Sequence, residues 1–427
     1  MTTEIIFLPN AEQQKRGILC QADVLKCSSR RKEALTFDYG ERPAPGDLSL
    51  PTLAAPTEVG IFKPALGVLG TLLLGMTLML AGCATPGKSS AESGSSNAKP
   101  TQDAKFSTLD LAPPLTPAIE TKILALDPEH VTQKEIDEIL AQAPAPRIIN
   151  IHGGILPRHA NMNSFSEFLI GMGYPAASIR HPNDGTYTFG YYHNSDMIAG
   201  VIAAYYESDG LRPMMVGFSQ GGFQAMRVLH KLAGDSAARL AVWNPLTGAS
   251  EERYDILDPL TGTNRPVVGL QVSYVCVAVA GGLGRWLPNQ WDMNDKLRKI
   301  PDSVEEFTGF QKGLDPLGGD YLGYGASNDY QATGSAIVRN VRLPSAYGHA
   351  SIPDTRHLAK DPAIRDWLNH YRPTDTPTAT PQLDVKFDAD STHILWAAEV
   401  WYCIKKHWVL ELQRKIRAQS VAHHAGR

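Results

Sequence analysis

A nucleophile, a base and an acid can be picked out of this chain by the residues around each. Pro213-Met214-Met215-Val216 runs into Gly217-Phe218-Ser219-Gln220-Gly221-Gly222, and helical sequence follows over 223–232. Between a strand and a helix, a G-x-S-x-G pattern has a mechanical meaning. The serine sits on a tight turn with its hydroxyl presented at the strand's C-terminal end, and the glycines two before and two after let neighbouring backbone pass. Upstream, Ile148-Ile149-Asn150-Ile151 ends in His152-Gly153-Gly154-Ile155. Acyl transfer builds negative charge on a carbonyl oxygen and so needs backbone N–H donors aimed at it. The N–H of Gln220 and one from Gly154 or Ile155 form the expected pair. His152 is expected to pack and hydrogen-bond beneath that turn rather than to act as base.

The base should come late, after the last strand. Of the thirteen histidines, His349 alone sits in a glycine-flanked loop, 344–351, between a strand (336–343) and a closing helix (361–371). The acid has two candidates. Asp315, in Gly313-Leu314-Asp315-Pro316-Leu317, lies just beyond a strand at 304–310, where it could orient the imidazole. Asp320, in Gly318-Gly319-Asp320-Tyr321, is its rival, with Asp329 further away. Each residue also has a plainer role open to it: Ser219 capping its helix, His349 on a surface loop, or either aspartate accepting loop N–H groups.

These residues need a frame, and the chain supplies alternating segments. Strand candidates lie at 147–151, 176–180, 213–217, 240–243, 304–310 and 336–343, with helical stretches at 164–172, 197–206 and 223–232 between them. Thr132-Gln133-Lys134-Glu135 forms a capping box that opens a short helix. Such alternation predicts an α/β fold: a mainly parallel sheet with helices on both faces. In a parallel sheet the C-terminal ends of the strands share one edge, so Ser219, Asp315 and His349 converge despite their separation in sequence.

With Ser219 in GFSQGG, HGG at 152–154 and the order Ser, Asp, His, residues 147–372 resemble the α/β-hydrolase superfamily. The resemblance implies a serine hydrolase working through an acyl-enzyme intermediate with no cofactor, acting on a small-molecule or lipid ester. A peptidase of the same superfamily is the alternative, and so is a non-catalytic surface protein using the same fold for binding. No segment reads as the two antiparallel strands that open that fold, and no subfamily is indicated. The hydrolase domain is expected over 131–372. Its apolar, Trp-containing segment 245–301 is expected to form a cap over the nucleophile, or else a further core element.

Two segments flank this domain. Residues 373–390 read as a linker, and 391–420 as an appended amphipathic helix, with Ile394, Ala397, Trp401, Ile404, Trp408 and Leu412 at helical spacing. That helix suits either an interface or partner, or docking on the hydrolase body. At the other end, the uncharged stretch 64–87 ends in Leu80-Ala81-Gly82-Cys83, which resembles the lipobox of bacterial lipoproteins. The resemblance implies that Cys83 is lipidated and that the body is anchored in the cell envelope, facing the periplasm or the exterior. Residues 59–83 would be the signal, with a start at Val59, and 84–130 a tether and lead-in. No role is assigned to 1–58.

Composition excludes other classes. A chain of 427 residues with 43% hydrophobic and 20% charged residues can bury a large core, so it is neither disordered nor collagen-like. With 40 basic against 44 acidic residues and no aromatic-interleaved basic patch, nucleic acid is not an expected partner. The five cysteines form no CxxC pair and no zinc-like cluster, so no metal is expected. A Cys276–Cys403 disulfide is conceivable in an oxidising compartment, but nothing in the sequence fixes its geometry.

Overall fold

The computed structural model describes residues 114–154, 158–235, 239–281, 288–320, 328–374 and 393–425. All of them belong to one compact unit, Ala98–Arg427. Cys83 and its signal, the lead-in up to residue 113, Ile155 and most of the 373–390 linker lie outside the described residues.

The main sheet has five strands: β1 (Ile148–Ile151), β2 (Met214–Phe218), β3 (Val272–Ala278), β4 (Val304–Lys312) and β5 (Ile337–Leu343). They lie side by side in chain order and every pairing is parallel, with Ile149 opposite Met215, Val216 opposite Cys276 and Val275 opposite Phe307. The inner strands are buried almost throughout, which is why they read as continuous apolar runs rather than alternating ones. Successive side chains still point to opposite faces. Met214, Val216, Cys276, Phe310 and Val341 join one core, under helices α3 (Arg158–Gly171), α6 (Pro362–His370) and α7 (Ile394–Ala425). Ile149, Ile151, Met215, Val275, Val277 and Phe307 join the other, under α4 (Ser195–Asp209) and α5 (Gln220–Leu232). The mainly parallel α/β sheet covered on both faces is therefore present. Before β1 run two short helices, α1 (Pro117–Ala125) and α2 (Gln133–Glu138), the second opened by the reciprocal Thr132/Glu135 capping box.

Three expected elements differ. Residues 176–180 hold a 3-10 turn, Ala176–Ser178, because local bonds win: Ser178 N–H to Pro175 O at 3.0 Å and Ile179 N–H to Ala176 O at 3.1 Å. The sheet edge beside β1 is met instead by Phe189, whose N–H donates to Asn150 O (2.8 Å) while His152 N–H donates to Phe189 O (3.0 Å). The 240–243 strand shrinks to a two-residue rung, Trp243–Asn244 with Ala249–Ser250, outside the main sheet. There the Asn244 carboxamide accepts the N–H groups of Leu246 and Thr247 and turns the chain back.

The largest correction concerns 245–301. The apolar run within it is β3, the central strand of the sheet, buried along its whole length. A short apolar run has no periodicity that separates a buried strand from a cap element, and only pairing with β2 and β4 decides. The segment also holds Ala249–Ser250 of the rung just described, a small antiparallel pair, Asp255–Leu257 with Asn264–Pro266, a 3-10 turn, Pro288–Met293, and the short strand Lys299–Ile300, which pairs in parallel with Gln331–Ala332.

The C-terminal helix α7 is not an appendage. Trp396, Trp401 and Trp408 are fully buried, and Phe165 of α3 packs at a tilt against Trp396 with ring centres 4.7 Å apart. Its charges meet partners in the body. Lys406 bridges Glu129 and Glu306 at 2.9 Å each, and Glu411 holds Arg212 at 2.6 Å. A helix buried nearly all round packs against its own chain, so the docked reading is the one observed.

Candidate active site

Ser219 stands at the end of β2 and the start of α5 with φ 54° and ψ −119°, a conformation that a side-chain-bearing residue rarely adopts and that costs about 1–3 kcal/mol. The flanking glycines make this turn possible. A Cβ on Gly217 would come within 2.7 Å of Gly221 O, and one on Gly221 within 2.1 Å of Ile151 O. Ser219 occupies the N-cap position of α5, but its side chain makes no capping hydrogen bond. Its Oγ lies 3.1 Å from His349 Nε2.

His349 follows β5 and Asp315 follows β4, so both arrive at the same sheet edge as Ser219. His349 Nδ1 lies 2.6 Å from Asp315 Oδ2. Both side chains are buried, at 9% and 3% exposure, and Phe218 packs beside the imidazole with ring centres 5.6 Å apart. With both ring nitrogens engaged, the polarity is set: Nδ1–H donates to the carboxylate, which leaves the Nε2 lone pair facing the serine hydroxyl. That arrangement can remove a proton from Ser219 as its oxygen attacks an electrophile.

Asp320 is also buried, but its backbone N–H donates to Asp315 O (2.9 Å), and the imidazole has no nitrogen left for its carboxylate. The structure thus brings Asp315 to His349 and not Asp320. The loop is shaped by the short bridge between the two aspartates and by Leu314, held at φ 52°.

The expected anion donors fall on either side of Ser219. Gln220 is the first residue of α5, so its N–H has no acceptor within the helix. The Gly153–Gly154 turn lies against Ser219: a Cβ on Gly153 would be 3.0 Å from Ser219 Cβ, and one on Gly154 would land 1.7 Å from Gln220 Oε1. The Gln220 side chain therefore lies across Gly154. His152 has its own partners, apart from Ser219, His349 and Asp315. Its Nδ1–H donates to Gly153 O (2.8 Å), its ring stands edge-on to His159, and burial keeps its pKa below the ordinary histidine value.

Support comes from residues that no local pattern singled out. Asn161 Nδ2 donates to Ala350 O (2.7 Å), next to His349, and Ser164 Oγ donates to Asp354 (2.6 Å) while accepting the N–H groups of Thr355 and Arg356. Their partners lie far away in sequence, so their roles emerge only once α3 packs against the His349 loop.

Cys276 and Cys403 are buried free thiols, and burial holds both well towards the protonated form. Among the described residues no group of His, Cys, Asp or Glu is arranged to hold a metal ion, and no helix is long and apolar enough to cross a membrane. Compared with known protein families, curated proteins and solved structures, the chain matches none.

Proposed function

We propose that this chain is a serine hydrolase of the α/β-hydrolase type that cleaves carboxylic esters through an acyl-enzyme. The observation that carries the reading is the continuous line Ser219–His349–Asp315 on a strained turn, at the edge where parallel strands end. Ser219 Oγ attacks the ester carbonyl and His349 takes its proton. The buried Asp315 carboxylate stabilises the imidazolium that forms. Gln220 N–H and the Gly153–Gly154 turn face the developing oxyanion. Collapse of the tetrahedral intermediate expels the alcohol, which His349 protonates, and water then repeats the sequence to release the acid. A placement beside β2 for the strand that leads into the glycine turn, and the Phe189 bridge on that strand's outer edge, also support the hydrolase type. One feature departs from it: among the described residues the chain before β1 is helical, so the two opening antiparallel strands have no counterpart there.

The same proposal includes a lipid anchor at Cys83 in the bacterial cell envelope, supported by the Leu80-Ala81-Gly82-Cys83 motif. One experiment tests both parts. A fluorophosphonate should label the wild type in the membrane fraction, and Ser219→Ala should abolish the label. Cys83→Ala should move the label out of that fraction. A Ser219→Ala protein that still labels or hydrolyses p-nitrophenyl esters overturns the enzymatic reading, and a Cys83→Ala protein that stays in the membranes overturns the anchor.

A further inference from the structure

The loop that presents His349 is gripped on two sides. Helix α3 holds its far half through Asn161 and Ser164. The near half is held by the C-terminal helix. Tyr347, two residues before His349 and 8% exposed, accepts the N–H of Leu395 on its phenol oxygen at 3.2 Å. Leu395 is the second residue of α7, and its N–H is one of those a helix cannot satisfy internally. A side chain of the catalytic loop therefore completes the helix end. The ring of Tyr347 also stands edge-on to His393, with centres 4.7 Å apart. His393 enters the helix at φ 67° and is buried, so its own position is fixed by the surrounding structure rather than by local preference.

We propose that α7 keeps the catalytic base in place, with Tyr347 as the positioning residue that couples the helix N-terminus to the His349 loop. The inference rests on the hydrolase reading. It gives the C-terminal helix a task within the enzyme that its sequence, read as an interface or docking helix, does not suggest. Tyr347→Phe removes the hydroxyl that accepts the Leu395 N–H while keeping the ring against His393.

The test compares Tyr347→Phe with Tyr402→Phe in the full-length protein. Tyr402 lies on the same helix, but its hydroxyl bonds Glu129, away from the His349 loop. Initial rates on a p-nitrophenyl ester and the rate of fluorophosphonate labelling are read per folded molecule, alongside amide exchange over 344–351. Tyr347→Phe is expected to lower kcat and the labelling rate about five- to tenfold with KM little changed, and to speed exchange in the loop, as loss of one positioning bond would do. Tyr402→Phe is expected to leave kcat and labelling at the wild-type level. Wild-type kcat and labelling in Tyr347→Phe, or an equal loss in Tyr402→Phe, overturns the positioning role alone. A wild-type protein that neither labels nor turns over overturns the hydrolase reading, and this inference with it.

Discussion

Replacing Asp315 by Asn isolates the charge that the buried carboxylate places behind the imidazole. The side chain keeps its shape, and at 3% exposure there is little room for it to move. In the resting state the loss is small, because His349 Nδ1–H can still donate to an amide oxygen. When His349 takes the serine proton, the imidazolium loses a counter-charge now 2.6 Å away atom to atom. Unit charges with centres about 4 Å apart attract by about 4 kcal/mol at the effective dielectric of about 20 that suits such sites. At about 1.4 kcal/mol per decade, kcat should fall by up to about a thousandfold. An Asn that turns its NH₂ towards Nδ1 would also impose the wrong tautomer and deepen the loss. Initial rates on p-nitrophenyl acetate measure the effect, with a thermal melt to show that the fold persists. Asp320→Asn is the control: its carboxylate has no place on the imidazole, so kcat should stay within a few-fold. An Asp315→Asn enzyme that retains more than about a tenth of wild-type kcat, with Asp320→Asn crippled, would refute the charge argument and move the acid to Asp320.

Gly221→Ala drives a methyl group to 2.1 Å from Ile151 O, a backbone atom that cannot swing aside, so a loss of about 1–3 kcal/mol or more should appear as a lowered Tm. An unchanged Tm would mean that β1 and α5 do not approach so closely. Lys405 is 1% exposed and its Nζ donates to Val131 O (2.9 Å) and Asn369 O (3.1 Å); burial, with Arg372 nearby, pushes its pKa down from 10.5 to about 7. A folded pKa below the unfolded one means that the unfolded chain binds more protons between those values, so this lysine's contribution to stability rises with pH from about 7 to 10.5 and is lost as pH falls through 7. From pH 7 to pH 9 the wild type should gain up to about 2–3 kcal/mol relative to Lys405→Met, as read from urea midpoints. Parallel changes in the two proteins would show that Lys405 is charged in the fold.

What the sequence determined by itself was local. The turn at Ser219 needs glycine at 217 because the turn's own backbone at Gly221 and Gly222 closes on it, and at 221 because β1 passes within contact distance, and that need is written into a six-residue pattern. The Thr132/Glu135 capping box and the glycine-flanked loop of His349 are likewise carried by neighbouring residues. The tertiary structure decided whatever depends on partners distant in sequence. Asp315 and Asp320 both follow β4 in a turn-rich loop, and only the position of His349, delivered by β5, α3 and α7, selects between them. The run that becomes β3 has the same apolar character whether it caps the site or lies at the centre of the sheet, and pairing on both sides made it the latter. In α7, periodicity announced a helix but could not say what its faces meet. Glu306, Glu129 and Arg212 pair with its charges, and the core closes over its tryptophans, because parts of the chain far away in sequence fold onto it.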